Sequence, residues 1–154
     1  MSTRDAFPPS IENASKLAVV CVKTIRDLHE VCLDYSPSTL YLIDDILENL
    51  RDEGCSPNDF RETLYAFGCY FGEVFVRSAN GVWVHAQDTI LRYNAGNPLL
   101  IQLPNGRLCE PIAKVFWRLH YGRQDHLPTY YAAFTGQCAP EPSTDDKRRW
   151  WKGK

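Results

Sequence analysis

In the first half of the chain, apolar residues recur every three or four positions, which is the period of an amphipathic α-helix. One such pattern runs from Ser15 to Cys32, and we interpret it as a helix although its segment LAVVCV is rich in β-branched residues that favour strands. A second pattern follows LDYSPSTLYLID, where Ser36 suits an N-cap and Pro37 the first helical position. Gly54 ends this second pattern, as glycine commonly does just past a helix.

A third helical pattern extends from Pro57 to Ser78 and is apolar on nearly all sides. A helix of this kind is usually buried. Within it, Gly68 and Gly72 lie four residues apart and leave a flat strip along which another element can approach closely. The pattern therefore predicts the central helix of the fold.

Strand and turn signals appear only after this third helix. Asn80 and Gly81 indicate a turn, VWVHA alternates as a strand does, and PLLIQLPNGRLCEP indicates a β-hairpin with its turn at residues 105–106. Helical spacing returns in IAKVFWRLHYG, and Asp125 suits the cap of a short last helix. This order predicts an α+β fold with N-terminal helices, a small antiparallel sheet and closing C-terminal helices.

Composition divides the chain into one domain and two flanking segments. Residues 1–13 hold few large apolar groups, and we expect them to form a flexible leader. Residues 14–138 are expected to form a single α+β domain, since this length suits one hydrophobic core. Residues 139–154 are rich in proline and charge and end in KRRWWKGK, which predicts a disordered basic and aromatic tail.

The net charge, the apolar runs and the cysteines indicate which partners and sites to expect. The net charge of -2 argues against nucleic-acid binding, except through the basic residues at 147–154. No apolar run approaches the roughly 20 residues that span a bilayer, so we expect no membrane partner. The six cysteines form no C-x-x-C pair, and we expect reduced thiols in a cytoplasmic protein with neither a metal site nor a cofactor.

Glu73 is the residue most suggestive of chemistry, because it belongs to the helix predicted to be buried and a buried carboxylate is unfavourable unless it is paired. In a structural interpretation, Glu73 holds the third helix against the sheet through a polar partner. The candidate partners are Arg77, Lys114, Arg118 and the indole N–H of Trp83. In a catalytic interpretation, Glu73 acts as acid or base near Tyr70 and Arg77, although no second acid is visible beside it. We favour the structural interpretation.

Three stretches of the chain carry motifs in a fixed order: LDYSPSTLYLID, GCYFGEVFVRSANGVW and PIAKVFWRLHYGRQD. With a short hairpin before the last, they resemble a widespread family of small, uncharacterised bacterial domains over residues 33–134. That family shows D-Y-S at a helix start, G-x-Y-x-G-E with an arginine one turn later, a G-x-W turn and a P-x-x-K-V helix. This chain departs from the family at His126, where serine often follows the aspartate.

The resemblance implies that Glu73, Arg77 and Trp83 belong to a shared framework, and it brings no established activity. The family is similar to other small bacterial domains, among them immunity proteins that bind and neutralise a cognate toxin. Our leading hypothesis is a small bacterial protein-binding module, with an immunity-type inhibitor as one form of it. The alternatives are a small hydrolase or transferase that uses Glu73, and a structural subunit that forms a homo-oligomer. The candidate binding residues are Glu73, Arg77, Trp83, Asp34, Tyr35, Lys114 and Arg118.

Overall fold

The structure, a computed structural model, describes residues 10–92 and 98–150. The helices of this part of the chain are α1 (Ile11–His29), α2 (Leu40–Asp52), α3 (Arg61–Ala79), α4 (Pro111–Tyr121), α5 (Leu127–Thr135) and α6 (Thr144–Trp150). Between α3 and α4 lie the strands β1 (Val82–His85), β2 (Leu99–Gln102) and β3 (Leu108–Cys109). The strands form one small antiparallel sheet with helices before and after it in the described part of the chain, which confirms the predicted α+β fold.

Helix α1 confirms the helical interpretation of the first apolar pattern but begins earlier than expected. The Ser10 hydroxyl accepts a hydrogen bond from the backbone N–H of Asn13 at 3.2 Å, so the helix is capped at Ser10 and begins at Ile11. The flexible leader predicted for residues 1–13 is therefore wrong for residues 11–13, which are helical. Residues 1–9 lie outside the described part of the chain.

Short 3₁₀ turns at the two predicted prolines precede α2 and α3. The first spans Pro37–Thr39 and the second Pro57–Phe60. Ser36 occupies the cap position of the first turn, but its side chain makes no cap hydrogen bond there. Ser56 forms a reciprocal capping box with Asp59 in the second turn, which satisfies backbone N–H groups at the start of the turn.

Helix α3 is the central helix, as its apolar pattern predicts. Every residue at 66–75 is buried, with α1 packed on one side of the helix and α4 on another. A Cβ added to Gly68 would lie 2.6 Å from the Cα of Ile112, and one added to Gly72 would lie 2.1 Å from the Trp83 ring. Because neither glycine has a side chain, α4 and the Trp83 indole approach α3 more closely than any other residue at these two positions would allow.

The three strands are ordered β1–β2–β3, and each neighbouring pair is antiparallel. In the register of β1 and β2, Trp83 lies opposite Ile101. The predicted hairpin joins β2 to β3. Its turn is closed by hydrogen bonds from the Leu103 N–H to the Arg107 carbonyl at 2.9 Å and from the Gly106 N–H to the Leu103 carbonyl at 2.8 Å.

Residues 139–150 differ from the disordered tail predicted for residues 139–154, because they hold a helix and contact the domain. Ala139 is only 7% exposed, and the Tyr41 hydroxyl on α2 donates a hydrogen bond to its carbonyl at 3.3 Å. Helix α6 follows: burial raises the pKa of Asp45 on α2, and the nearby Lys147 of α6 partly offsets this rise. The composition predicts disorder because few apolar groups are available, yet Ala139 and Pro142 are buried and a hydrogen bond from Tyr41 holds the segment to α2. Residues 151–154 lie outside the described residues.

Candidate functional site

Five of the predicted site residues come together beside α3, and we call them the α3 cluster: Tyr35, Tyr70, Glu73, Arg77 and Trp83. Three of them are three or four residues apart in one helix and therefore share one side of α3. Trp83 returns to that side because the chain turns back after α3, with Asn80 in the left-handed conformation. Tyr35 comes from the connection between α1 and α2.

Glu73 uses the indole of Trp83, one of its four predicted partners. The Trp83 N–H donates to the Glu73 carboxylate with a nitrogen–oxygen distance of 3.4 Å, at the long end for such a bond. The two residues are 6% and 9% exposed. Among the described residues no ion pair joins Glu73 to Arg77, Lys114 or Arg118. The contact links α3 to β1 directly.

The Tyr70 hydroxyl makes two hydrogen bonds to the connection that leads into α2. It accepts a hydrogen bond from the Tyr35 N–H at 2.9 Å and lies 2.7 Å from the Thr39 hydroxyl oxygen. Thr39 gives its own proton to the Ser36 carbonyl at 2.6 Å, so Tyr70 donates to Thr39. Tyr70 is 0% exposed, and burial raises the pKa of its hydroxyl, which keeps it protonated. Its single proton is committed to Thr39, and the hydroxyl is buried away from any substrate.

Tyr35 has a left-handed backbone, with φ of +65°, which is unfavourable for a bulky residue. Two side chains of α3 hold its ring in place. The Tyr70 ring stacks on it with centroids 4.8 Å apart, and the Arg77 guanidinium carbon lies 3.5 Å from its centroid. Asp34 precedes it as an exposed residue and accepts a hydrogen bond from the Ser36 N–H at 2.9 Å. These contacts fix the path of the connection between α1 and α2.

Lys114 lies away from the α3 cluster, contrary to the prediction that it is a candidate partner of Glu73. Its ammonium nitrogen is 2.7 Å from an Asp125 carboxylate oxygen and 4.9 Å from the Tyr130 ring centroid. Asp125 was expected to cap the last helix. It instead lies in a 3₁₀ turn ahead of α5 and binds this lysine, which ties the turn to α4.

Arg118 also points elsewhere, into a buried ionic group that sequence reasoning missed. Its side chain is 0% exposed and contacts Asp44 through Nε at 2.8 Å and Nη2 at 3.1 Å. Nη1 lies 2.7 Å from a Glu48 carboxylate oxygen, and this contact lowers the pKa of Glu48. Asp44 additionally accepts the Leu127 N–H at 2.9 Å and so caps α5 from another helix. We call Asp44, Glu48 and Arg118 the Asp44 cluster.

Two more polar residues lie at the edge of the Asp44 cluster. The Nε2 atom of His126 is 3.8 Å from Asp44, and its Nδ1 atom is 2.8 Å from the Thr129 hydroxyl. Arg123, whose side chain is 75% exposed, lies 3.7 Å from Glu48. The group therefore joins α2, α4 and the start of α5, and its arrangement is that of a buried ion pair that holds helices together.

A signal for the Asp44 cluster was present in the sequence. On a helical wheel, Asp44 falls about 40° from Leu40, and Arg118 about 60° from Val115. Both charges thus lie on the apolar sides of their helices. An acid and a base placed in this way on two buried faces indicate a pair, because neither is stable there alone.

The outer side of α4 carries the second feature that sequence reasoning missed. Trp117 is 37% exposed and Tyr121 is 55% exposed, and the two lie one turn apart. His120 is exposed as well, with its ring 4.5 Å from that of Tyr121. We call Trp117, His120 and Tyr121 the α4 face. The Arg51 side chain approaches the end of this helix. Its guanidinium carbon lies 3.0 Å from the position that a Cβ added to Gly122 would occupy.

The buried cysteines are poor candidates for a reactive thiol. Cys21, Cys69 and Cys109 are all 0% exposed. Burial raises the pKa of the Cys21 thiol well above its ordinary value and raises those of Cys69 and Cys109 to about 12. These thiols are therefore protonated near neutral pH, and the thiolate is the nucleophilic form.

Comparison with protein-family models, with curated proteins and with solved structures finds no match for this chain. The resemblance to a bacterial domain family accordingly stays a prediction, and function is argued from the geometry. Within residues 10–92 and 98–150, no three histidine, cysteine, aspartate or glutamate side chains are placed to hold a metal ion. No helix of that same part of the chain has the length and apolar character needed to cross a membrane.

Proposed function

We propose that this protein is a small protein-binding module that contacts its partner through the α4 face. The observation that carries the proposal is the pair of large aromatic residues, Trp117 and Tyr121, exposed one turn apart on the same helix. Tryptophan, tyrosine and arginine dominate the residues that contribute most to protein–protein binding. Arg51 and Arg123, both exposed near the end of α4, supply the third residue type.

The state of the α3 cluster supports binding over catalysis. A hydrolase or transferase that used Glu73 would need the carboxylate to reach a substrate, yet Glu73 is 6% exposed behind the Trp83 indole. Tyr70, the nearby acid or base of that alternative, already uses its hydroxyl for two intramolecular hydrogen bonds. Most of the α3 cluster is buried within the fold, whereas Trp117, His120 and Tyr121 of the α4 face are exposed.

The more specific form of the proposal is an immunity-type inhibitor of a cognate toxin in the bacterial cytoplasm. Its support is the resemblance of the three ordered motifs. Such a protein needs neither cofactor nor metal, since it acts by covering a surface of its target. The exposed aromatic pair is compatible with this mode of action because rigid, large side chains bury much area at little entropic cost.

Native capture from a lysate of the source organism, with proteins identified by mass spectrometry, tests the proposal. The wild-type protein should capture one partner in stoichiometric amount. A Trp117→Ala, Tyr121→Ala double variant should bind that partner at least roughly 30-fold more weakly, which corresponds to about 2 kcal/mol. Leu28→Ala is the matched control, because Leu28 is an apolar residue of α1 that is 71% exposed; it should bind like the wild type.

Two results would contradict the proposal. A wild-type protein that captures nothing would remove the binding function and favour a search for small-molecule substrates. A double variant that binds as tightly as the control would keep the binding function but place it on another surface. The inhibitor form is tested separately, since the captured partner must have an activity that this protein blocks in a purified mixture.

A further inference from the structure

Two arginine side chains from different elements lie at the C-terminal end of α4, beside the α4 face. Arg51, in the last turn of α2, places its guanidinium against Gly122: the carbon, Nε and Nη2 atoms lie 3.0, 3.2 and 3.3 Å from the position that a Cβ added to Gly122 would occupy. Gly122 joins Tyr121 to Arg123 in the chain. Both arginines are exposed, so a positively charged region adjoins the exposed aromatic residues.

The two arginines share one carboxylate, that of Glu48. Its side chain is only 13% exposed, with one oxygen 2.7 Å from Nη1 of Arg118 and the other 3.7 Å from Nε of Arg123. The pKa of this carboxyl is lowered, first by the contact with Arg118 and then by Arg123 and Arg51. Asp44 is the second carboxylate that binds Arg118. Two carboxylates therefore face three guanidinium groups, and positive charge is in excess.

The other acidic residues at this end of the molecule do not pair with the two arginines. Asp52 follows Arg51, but on the helical wheel of α2 it projects about 100° away from it. Asp125 is bound to Lys114 at 2.7 Å. Within residues 10–92 and 98–150, no carboxylate lies within ion-pair distance of the Arg51 guanidinium. The N–H donors of Arg51 are therefore open to a partner.

We propose that the partner of the α4 face is an acidic protein surface, whose carboxylates pair with Arg51 and Arg123 while an adjoining apolar area covers Trp117 and Tyr121. The inference rests on the proposed function and names the class of its partner. Arginine suits this role because its planar guanidinium binds a carboxylate through two parallel N–H donors.

Charge complementarity selects an acidic partner over a basic one at this end of α4. Complementary charges steer two proteins into the correct orientation, and like charges suppress wrong partners. The whole chain has a net charge of -2, so the positive region is local. An acidic surface is therefore attracted to this end of α4 and repelled by the average charge of the rest of the molecule.

Two synthetic polypeptides serve as probes of the full-length chain: a random copolymer of glutamate and tyrosine, and one of lysine and tyrosine. Both offer aromatic contacts, and they differ in the sign of their charge. Proton–nitrogen correlation NMR follows the backbone amide of Gly122 and the indole N–H of Trp117 during each titration. We expect saturable shifts of these two signals with the glutamate copolymer and none with the lysine copolymer.

The decisive variant is Arg51→Gln, Arg123→Gln. It should need roughly 10-fold more glutamate copolymer for half-saturation, because two ion pairs with the probe are lost. The matched control is Lys23→Gln, Arg26→Gln, which removes the same charge from two exposed residues of α1. The control should stay within about two-fold of the wild type.

Three results of the titrations would overturn the inference. The first is the absence of saturable shifts at Gly122 and Trp117 with the glutamate copolymer. The second is a set of shifts confined to the amides of residues 147–154, because the basic C-terminal residues would then bind the acidic chain. The third is an arginine double variant that binds the glutamate copolymer as tightly as the control variant does.

The partner captured from the lysate separates this inference from the proposed function. A partner whose binding is weakened by Trp117→Ala, Tyr121→Ala but not by Arg51→Gln, Arg123→Gln would keep the proposed function and overturn only the acidic class of partner. A wild type that captures nothing, or an aromatic variant that binds normally, would overturn both. We expect both variants to weaken binding.

Discussion

At the scale of single residues, Glu73 shows how a central apolar helix can carry a carboxylate. Its acceptor is an indole N–H, and indole itself must find a partner when it is buried. Each group therefore satisfies the other, and both lose their partner if either is removed. Tyr70 and Tyr35 form a similar pair. The Tyr70 hydroxyl accepts a hydrogen bond from the backbone N–H of Tyr35, a residue whose φ is unfavourable.

Glu73→Ala should lower the free energy of unfolding by about 2 kcal/mol, because it leaves the Trp83 N–H buried without an acceptor. Glu73→Gln should lower it by less, since the amide oxygen still accepts that hydrogen bond. Urea denaturation of both variants and of Trp83→Phe measures the effect, and the Glu73→Ala, Trp83→Phe double variant should lose less than the sum of the single losses. Unchanged stability in Glu73→Ala would instead favour the catalytic interpretation.

At the scale of elements, α5 depends on a residue that is distant in sequence. Its first N–H group, that of Leu127, bonds to Asp44 of α2, which is 83 residues away. The same carboxylate holds Arg118 of α4, so one side chain orients three helices. Replacing both members of a buried ion pair is often tolerated, whereas removing one leaves an uncompensated charge.

Asp44→Asn should therefore lower the free energy of unfolding by about 3 kcal/mol, because the Arg118 guanidinium stays buried opposite a neutral amide. Asp52→Asn provides the matched control: Asp52 is the last residue of the same helix, and it is exposed. The control should change stability by no more than about 0.5 kcal/mol. Thermal unfolding followed by circular dichroism compares the two variants. Equal losses of stability would show that the buried Asp44 contributes no more to stability than an exposed aspartate of the same helix.

The elements that sequence reasoning located correctly are those specified by neighbouring residues. Pro37, Pro57 and the turn at residues 105–106 act within a few positions of themselves, so their signals are local. The partners of Lys114 and Arg118 depend instead on which helices pack together, and several acids were equally available in the sequence. The docked tail was missed for a related reason, since its contact with α2 joins residues 98 positions apart.

At the scale of the whole molecule, the segment after α5 returns to α2 and contacts it. Ala139 packs beside Tyr41, and α6 brings Lys147 towards Asp45. Helix α2 is therefore the element of the domain against which this C-terminal segment docks.

Truncation after Gln137 should lower the free energy of unfolding by about 1 kcal/mol, because the buried Ala139 and the hydrogen bond of Tyr41 are lost. Truncation after Pro142 keeps both contacts and removes the same basic residues, so it should have a smaller effect. For a chain of this size the first change corresponds to a melting temperature roughly 2–4 °C lower. Identical melting of the two truncated chains would contradict the docking contact.

The contact between Gly72 and Trp83 has a consequence for how this sequence can change over time. Any side chain at position 72 would overlap the indole ring, so glycine is retained there for as long as position 83 carries a large ring. A methyl group at 72 becomes admissible only once the ring at 83 has shrunk, and the acceptor at 73 then loses its donor. Substitutions at positions 72 and 73 are therefore expected only after a substitution at position 83. A sequence that keeps Trp83 also keeps Gly72.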